Sequence, residues 1–131
     1  MRLDHIGVAV KDLDEARRFY GELMGLDLGE VEELPERQLK VCFVKVGDAN
    51  VELLWPTSSD SAVGKFIEKK GPGIHHLCYR VEDVKTKLEE LKAAGVKLID
   101  QEPKPGAHNT LVAFIHPKAT GGVLTELSQP V

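Results

Sequence analysis

The sequence lacks the features that mark secreted, membrane-spanning and nucleic-acid-binding proteins. It has only two cysteines, Cys42 and Cys78, and each lies in an apolar, strand-like run, which favours buried reduced thiols over a disulfide framework. No apolar stretch approaches the roughly 18 residues of a membrane span, and the N-terminus has no signal-peptide pattern. Lysines and arginines are scattered among acids at a net charge of -4, which leaves no cationic stripe for nucleic acid. We therefore expect a cytosolic protein that binds no membrane and no nucleic acid.

The chain does contain an internal repeat that runs through both of its halves. The segment DHIGVAV at 4–10 returns as HHLCYRV at 75–81, and VELLWP at 51–56 returns as TELSQP at 125–130. An offset of 71 residues aligns the first pair, and three added residues around 117–120 raise the offset to 74 for the second pair. Because the matches keep the same order along both halves, a duplicated fold explains them.

The repeat and the strand alternation predict an α+β fold in a single domain, residues 1–131. Each half is expected to form a βαβββ module, module one at 1–57 and module two at 74–131, joined by a linker helix at 58–73. Strands are expected at 3–10, 27–33, 38–46, 49–55, 74–81, 96–99, 110–116 and 122–128. Such a chain is long enough, and at 42% hydrophobic residues apolar enough, to bury one core.

The helix boundaries are predicted from capping residues. Asp12 and Asp83 are expected to be the N-caps of the two module helices, because short polar side chains at that position accept backbone N–H groups. The linker helix is expected to begin at Ser59 or Asp60 and to stop at Gly71.

Four side chains occupy equivalent places in the repeat, namely His5, Glu52, His76 and Glu126. Strand alternation turns His5 and His76 to the same face and His75 to the opposite one. Each glutamate interrupts an apolar strand, which costs free energy unless the carboxylate is paired or coordinated. An exposed edge position or a lysine partner would explain one such glutamate, but two histidine and glutamate pairs favour a divalent metal site with nitrogen and oxygen ligands.

These segments resemble the methylmalonyl-CoA epimerases of the vicinal oxygen chelate superfamily, which includes glyoxalases, bleomycin resistance proteins and dioxygenases. The resemblance covers DHIGVAVKDLDEARRFY, VGDANVELLWP, DSAVGKFIEKKGPGIHHLCYRVEDV and KPGAHNTLVAFIHPKATGGVLTEL, and the HPK followed by GGVLTEL is its most specific part. It implies that the two modules form a curved, eight-stranded mixed sheet whose concave face holds one divalent metal ion per chain. The implied ligands are His5, His76 and Glu126, with Glu52 as the fourth where some epimerases carry glutamine. Mixed imidazole and carboxylate ligands admit cobalt, nickel, zinc or manganese.

The resemblance also implies a reaction, the inversion of C2 of methylmalonyl-CoA through an enolate. Glu126 is similar to the family's carboxylate that both binds the metal and acts as a base. Some members have a second glutamate in the strand before the hairpin, and that position aligns with Val41 here. The second base therefore stays open between Glu52, a water molecule and a residue from another loop. His116 is a weaker candidate, because a histidine before Pro117 is typical of a turn.

An acyl-CoA substrate needs cations for its phosphates, and the sequence offers several lysines without a phosphate-binding loop to select among them. These are Lys40, Lys45, Lys65, Lys104 and Lys118. The loop at 102–109, rich in proline and glycine, could cover a cavity or be an ordinary connection. Trp55 is interpreted as a core or interface residue.

Two other functions remain open at this point. One is that of a glyoxalase I (lactoylglutathione lyase)-type metalloenzyme, against which the terminal HPKATGGVLTEL speaks. The other is that of a non-catalytic small-molecule-binding protein, which usually lacks such a ligand set.

For each of these three functions we expect a homodimer. The reasons are the unpaired sheet edges and the two-fold interfaces that are common among related proteins. Trp55, Phe66 and Val131 are apolar residues that could lie at its interface.

Overall fold

The computed structural model describes all 131 residues, and their elements largely follow the predicted order. The strands are β1 (Arg2–Ala9), β2 (Asp27–Leu34), β3 (Leu39–Val46), β4 (Ala49–Pro56), β5 (Gly73–Arg80), β6 (Lys104–Gly106), β7 (Thr110–Ile115) and β8 (Thr125–Pro130). The α-helices are α1 (Leu13–Arg18), α2 (Ala62–Lys70) and α3 (Val84–Ala93). A π-helical segment (Phe19–Leu23) follows α1, and two 3-10 turns span Pro35–Arg37 and Pro117–Ala119. None of the helices is long and apolar enough to cross a membrane.

The eight strands form one mixed sheet in the order β2-β3-β4-β1-β5-β8-β7-β6. The pairs β1–β4 and β5–β8 are parallel, whereas β2–β3, β3–β4, β6–β7 and β7–β8 are antiparallel. The predicted α+β class with an eight-stranded mixed sheet is therefore confirmed.

The internal contacts divide the chain into two compact units, residues 5–75 and residues 1–4 with 76–131. We call them the first half and the second half. Each half has its own apolar core where its sheet strands meet its helix. In the first half, Leu13, Cys42, Val44 and Leu53 form that core. In the second half the core consists of Val81, Val84, Leu88, Leu98, Ala113, Ile115 and Leu127.

The two module helices begin where the sequence predicts. The Asp12 carboxylate accepts the backbone N–H of Glu15 at 3.0 Å, and the Asp83 carboxylate accepts that of Thr86 at 3.1 Å. Each of these bonds satisfies one of the N–H groups that a helix N-terminus leaves without an intrahelical partner. The π-helical segment after α1 was not predicted from the sequence.

The predicted start of α2 is wrong by one or two residues. The N-cap is Ser61, whose hydroxyl accepts the N–H of Gly64 at 3.0 Å, and not Ser59 or Asp60. The same hydroxyl donates to the carbonyl of Ser58 at 2.7 Å. Because this bond closes a turn over residues 58–61, the two preceding polar residues lie within the turn and cannot serve as the cap.

The predicted strand at 96–99 is also wrong. In that segment Leu98 forms only an isolated bridge with Ile115. The N–H of Phe114 donates to Oδ2 of Asp100 at 2.8 Å, so a side chain takes the place that a backbone carbonyl would hold in a regular ladder. Apart from β8, the strand that pairs with β7 is β6, which lies inside the loop predicted at 102–109.

The last strand begins at Thr125, three residues later than predicted. Gly121 and Gly122 precede it with φ of 74° and 100°. These are left-handed backbone conformations that a strand does not contain, so they belong to the connection after the second 3-10 turn.

Candidate metal centre

The first half places a histidine beside a glutamate on two parallel strands. His5 lies on β1 and Glu52 on β4, and the register pairs Gly7 with Glu52, one pleat repeat from His5. Nε2 of His5 is 3.2 Å from Oε1 of Glu52. The two residues are only 5% and 6% exposed. A carboxylate buried this deeply needs a partner for its charge, and the imidazole is one.

The second half repeats this arrangement with His76 on β5 and Glu126 on β8. Nε2 of His76 is 3.0 Å from Oε1 of Glu126, and the residues are 4% and 5% exposed. The register pairs Cys78 with Glu126, so Cys78 takes the place that Gly7 has in the first half. The equivalence predicted from the sequence repeat is therefore present in the geometry of each half.

A phenylalanine orients the imidazole in each pair. Phe43 lies directly across from Glu52, and its ring meets the His5 ring edge to face, with centroids 5.3 Å apart. Phe114 lies directly across from Glu126 and meets His76 in the same way at 5.6 Å. Such contacts restrict rotation of the imidazole ring. Sequence reasoning missed both phenylalanines, although the offset of 71 aligns them.

The four predicted ligands come together in this structure. One potential ligand atom from each of His5, Glu52, His76 and Glu126 lies within 4.8 Å of the others, and all four residues are buried. Two buried carboxylates so close together repel each other unless a cation or protons compensate their charge. Two imidazole nitrogens and two carboxylate oxygens are a donor set that suits a divalent transition metal. The residues present therefore fit such an ion.

The histidine next to His76 in sequence has a different environment. The His75 ring packs edge to face against Phe66 of α2, with centroids 4.9 Å apart. This agrees with the prediction that strand alternation turns His75 away from the face that carries His76.

His116 occupies a turn, as its position before Pro117 suggests. It precedes the 3-10 turn Pro117–Ala119, and its Nδ1 accepts the backbone N–H of Lys118 at 3.0 Å. The pKa of His116 is lowered from its ordinary value, mainly by partial burial and further by the positive charges of Lys97 and Lys118. Both effects favour the neutral imidazole, which is the form that can accept this bond.

Two of the candidate lysines have aromatic or acidic neighbours. Nζ of Lys104 lies 3.2 Å from Oδ1 of Asp100 and 5.4 Å from the centre of the Phe114 ring. Nζ of Lys40 lies 5.7 Å from the centre of the Trp55 ring. Trp55 itself packs against the core of the first half and donates its indole N–H to the carbonyl of Lys11 at 3.2 Å, in line with its predicted packing role.

The two halves differ in the residues that lie two positions further along the strand from each glutamate, on the same face of the sheet. In each half, four neighbouring strands each contribute one residue to a row at that level. In the first half the row reads Ala9, Leu54, Val41 and Glu32. In the second half it reads Arg80, Ser128, Val112 and Lys104. The first row is apolar with one acid, whereas the second carries two cations and a hydroxyl.

Comparison with known proteins gives matches over almost the whole chain. Residues 4–114 match the family model of the Glyoxalase/Bleomycin resistance protein/Dioxygenase superfamily. The mitochondrial methylmalonyl-CoA epimerase of Bos taurus is 43% identical over 129 residues, which cover 98% of this chain and 74% of that protein. A probable lactoylglutathione lyase of Synechocystis sp. is less similar, at 27% identity over 116 residues that cover 88% of this chain and 86% of that protein.

Solved structures also match almost the whole chain. The crystal structure of methylmalonyl-CoA epimerase from Mycobacterium tuberculosis is 36% identical, with a TM-score of 0.94, and the match covers 99% of this chain and 88% of that one. A variant of Streptomyces coelicolor methylmalonyl-CoA epimerase in complex with 2-nitronate-propionyl-CoA is 35% identical, with a TM-score of 0.96, and the match covers 100% and 95% of the two chains.

Proposed function

Because the chain belongs to the Glyoxalase/Bleomycin resistance protein/Dioxygenase superfamily, we propose that it is an epimerase that interconverts (R)- and (S)-methylmalonyl-CoA by proton transfer at C2. The observation that carries this function is the 43% identity over 98% of the chain to a protein of that name. A solved relative with a TM-score of 0.96 holds an acyl-CoA analogue, which supports an acyl-CoA as the substrate. The protein is thus an isomerase.

The proposed enzyme uses one divalent metal ion per chain, held by His5, Glu52, His76 and Glu126. The support is the burial and proximity of these four side chains and the chemistry of their donor atoms. The ion, when bound, supplies Lewis-acid stabilisation of the negative charge that develops on the substrate oxygens. Cobalt, nickel, zinc and manganese all accept such ligands, so the donor set does not select among them.

Glu126 is the proposed catalytic residue. Its carboxylate takes the proton from one face of C2, for which it has to lie within hydrogen-bond reach of the bound substrate. His76 lies 3.0 Å from that carboxylate and is itself packed against Phe114, so the His76 ring restrains the position of the carboxylate. Glu52, the equivalent residue of the first half, is assigned the role of a ligand alone.

The direct test is the exchange of the C2 proton in deuterated water. The metal-loaded chain should introduce deuterium at C2 of methylmalonyl-CoA and convert one epimer into the other. A lyase of the glyoxalase I type would instead form a new thioester from a hemithioacetal, and a binding protein would do neither. Absence of C2 exchange in the metal-loaded chain would contradict the proposed function.

We also propose a homodimer that resides in the cytosol. The strands at the two ends of the sheet, β2 and β6, each leave one edge without a strand neighbour, and self-association is one way to cover such an edge. An isologous contact would serve both copies at once. The two cysteines are free and buried, which suits a reducing compartment. Light scattering should give about twice the mass of one 14.4 kDa chain, and a mass near 14.4 kDa would contradict the dimer.

A further inference from the structure

Inversion at C2 requires proton transfer on both faces of the carbon. A base that removes the proton from one face cannot itself deliver a proton to the other face without moving around the substrate. If the proposed function holds, Glu126 serves one face, and a second group has to serve the other. The question is which side chain near the ligands can hold and release a proton.

The strand register of the first half brings one further acid to the face that carries Glu52. Phe43 pairs with Glu52, and Val41, two residues away on β3, pairs with Leu54. Across the other side of β3, Val41 pairs with Glu32 of β2. Directly paired residues point to the same face of a sheet, and so do residues two apart along a strand. Glu32 and Glu52 therefore leave the sheet on the same side.

The strand register sets the distance between Glu32 and Glu52. Glu32 lies on β2, which is two strands from β4. It pairs through Val41 with Leu54, and Leu54 is two residues along β4 from Glu52. With about 4.8 Å between strands and about 6.8 Å per pleat repeat, the Cα atoms of the two glutamates lie about 12 Å apart. Their side chains extend from the same face on either side of Val41, which is small and fully buried.

The burial of β2 sets Glu32 apart from the other acids of that strand. Glu32 is half-buried, whereas Asp27, Glu30 and Glu33 are exposed. Even Val31, its apolar neighbour on the opposite face, is 41% exposed. An acid that lies deeper than the adjacent valine reverses the usual order of burial, and a role at the inner face would explain the reversal.

The equivalent positions of the second half are unsuited to this task. The row that corresponds to Glu32 and its neighbours contains Arg80, which is paired with Asp4 at 3.0 Å, and Lys104, which is paired with Asp100 at 3.2 Å. Each of these cations is therefore held in an ion pair with a carboxylate. A carboxyl group can alternate between both forms, as epimerisation in two directions requires.

We propose that Glu32 is the second proton-transfer residue of this enzyme. The Glu126 carboxylate removes the C2 proton of one epimer and becomes a carboxylic acid, while protonated Glu32 donates its proton to the opposite face of the enolate carbon and becomes a carboxylate. The total number of protons is unchanged. The reverse direction exchanges the two roles, and proton exchange with water resets both groups after each turnover.

Glu32→Gln tests this role, because the amide keeps the shape of the side chain but cannot transfer the proton. Interconversion of the epimers should fall by about 100-fold or more, the usual loss for an acid or base. Deuterium exchange at C2 should nevertheless continue for the epimer whose proton faces Glu126, with retention of configuration. Metal content should match the wild type, and Glu32→Asp should recover part of the interconversion.

The matched control is Glu33→Gln, which changes the adjacent, exposed acid that pairs with Lys40 on the opposite face. It should behave as the wild type. Interconversion in Glu32→Gln within about twofold of this control would overturn the role of Glu32, because a lost acid or base costs far more. So would loss of bound metal, or loss of exchange in both epimers. If the wild type itself exchanges no C2 proton, the proposed function fails, which is a separate outcome.

Discussion

Both halves of this chain contain a buried pair of one histidine and one glutamate, but they surround that pair with different side chains. His5 with Glu52 and His76 with Glu126 are 3.2 and 3.0 Å apart, and a phenylalanine meets each imidazole edge to face. One pleat repeat away, the first half is apolar except for Glu32, whereas the second half carries Arg80, Lys104 and a serine.

This difference suits the proposed metal and the proposed substrate in different ways. In the proposed site both pairs hold the same ion, so both halves should keep the same donor atoms. An acyl-CoA is not symmetric, because one end is anionic and the reacting carbon lies elsewhere. The cations of the second half suit its anionic groups, and the carboxyl group of the first half suits the proposed proton transfer at the carbon.

The largest expected effect comes from removing either imidazole. His5→Ala and His76→Ala should each lose stoichiometric metal, because each removes one of four ligands and leaves a buried carboxylate without its partner. Elemental analysis after reconstitution and dialysis measures this loss. His75→Ala is the control, since that ring packs on Phe66, and it should bind one ion per chain. Full binding in both ligand variants would place the metal elsewhere.

The next effect distinguishes the two glutamates. Glu126→Gln keeps an oxygen ligand but removes the base, so C2 exchange of the epimer that it serves should fall by about 100-fold or more while metal remains bound. Glu52→Gln should be much milder, since a ligand role tolerates the amide oxygen. Isotope exchange followed by NMR for each purified epimer measures both. Equal losses in the two variants would remove the distinction between base and ligand.

A third comparison concerns the two cores rather than the site. Leu53 and Leu127 are equivalent in the repeat, and they are 0% and 3% exposed. Truncation of either to alanine should cost about 3 kcal/mol of unfolding free energy, because each leaves a cavity in its own core. Urea unfolding of the two variants measures the cost. A loss below about 1 kcal/mol in one of them would show that its core repacks around the missing atoms.

The smallest expected effect concerns His116, which lies just before the three residues that are added in the second half. The pKa of His116 is lowered in the folded chain, so folding favours the neutral ring. Its contribution to stability is therefore fully present above the ordinary value of about 6.5 and is lost as the pH falls through the lowered pKa. An NMR titration of the ring in folded and urea-unfolded protein checks this. A folded pKa at or above the unfolded one would contradict it.

The sequence was sufficient for most of the strands and for the caps of both module helices, and the repeat singled out the four side chains that lie together, His5, Glu52, His76 and Glu126. It failed where one side chain replaces a backbone group. Asp100 takes the N–H of Phe114 and interrupts a strand, and Ser61 closes a turn and becomes the cap of α2. Such choices depend on local competition between side-chain and backbone hydrogen bonds, which hydrophobic patterning does not record.

Glu32 could not have been found from alternation alone. The residue that pairs with Glu32 across the two strands is Val41, and only the β2–β3 register identifies it. That register shifts between Leu28 and Val31. A shift of one residue moves every following side chain to the other face. The four clustered side chains were therefore predictable from the repeat, whereas the acid proposed for the second face of C2 needed the strand pairing.

The most direct test of this account is the position of the metal in a crystal of the reconstituted protein. Anomalous diffraction at the absorption edge of the bound ion should give one peak per chain, about 2.0–2.2 Å from Nε2 of both histidines and from one oxygen of each glutamate. The histidines are His5 and His76, and the glutamates are Glu52 and Glu126. A peak bound by only one half of the chain, or one at other residues, would contradict the claim that the duplicated pairs share a single ion.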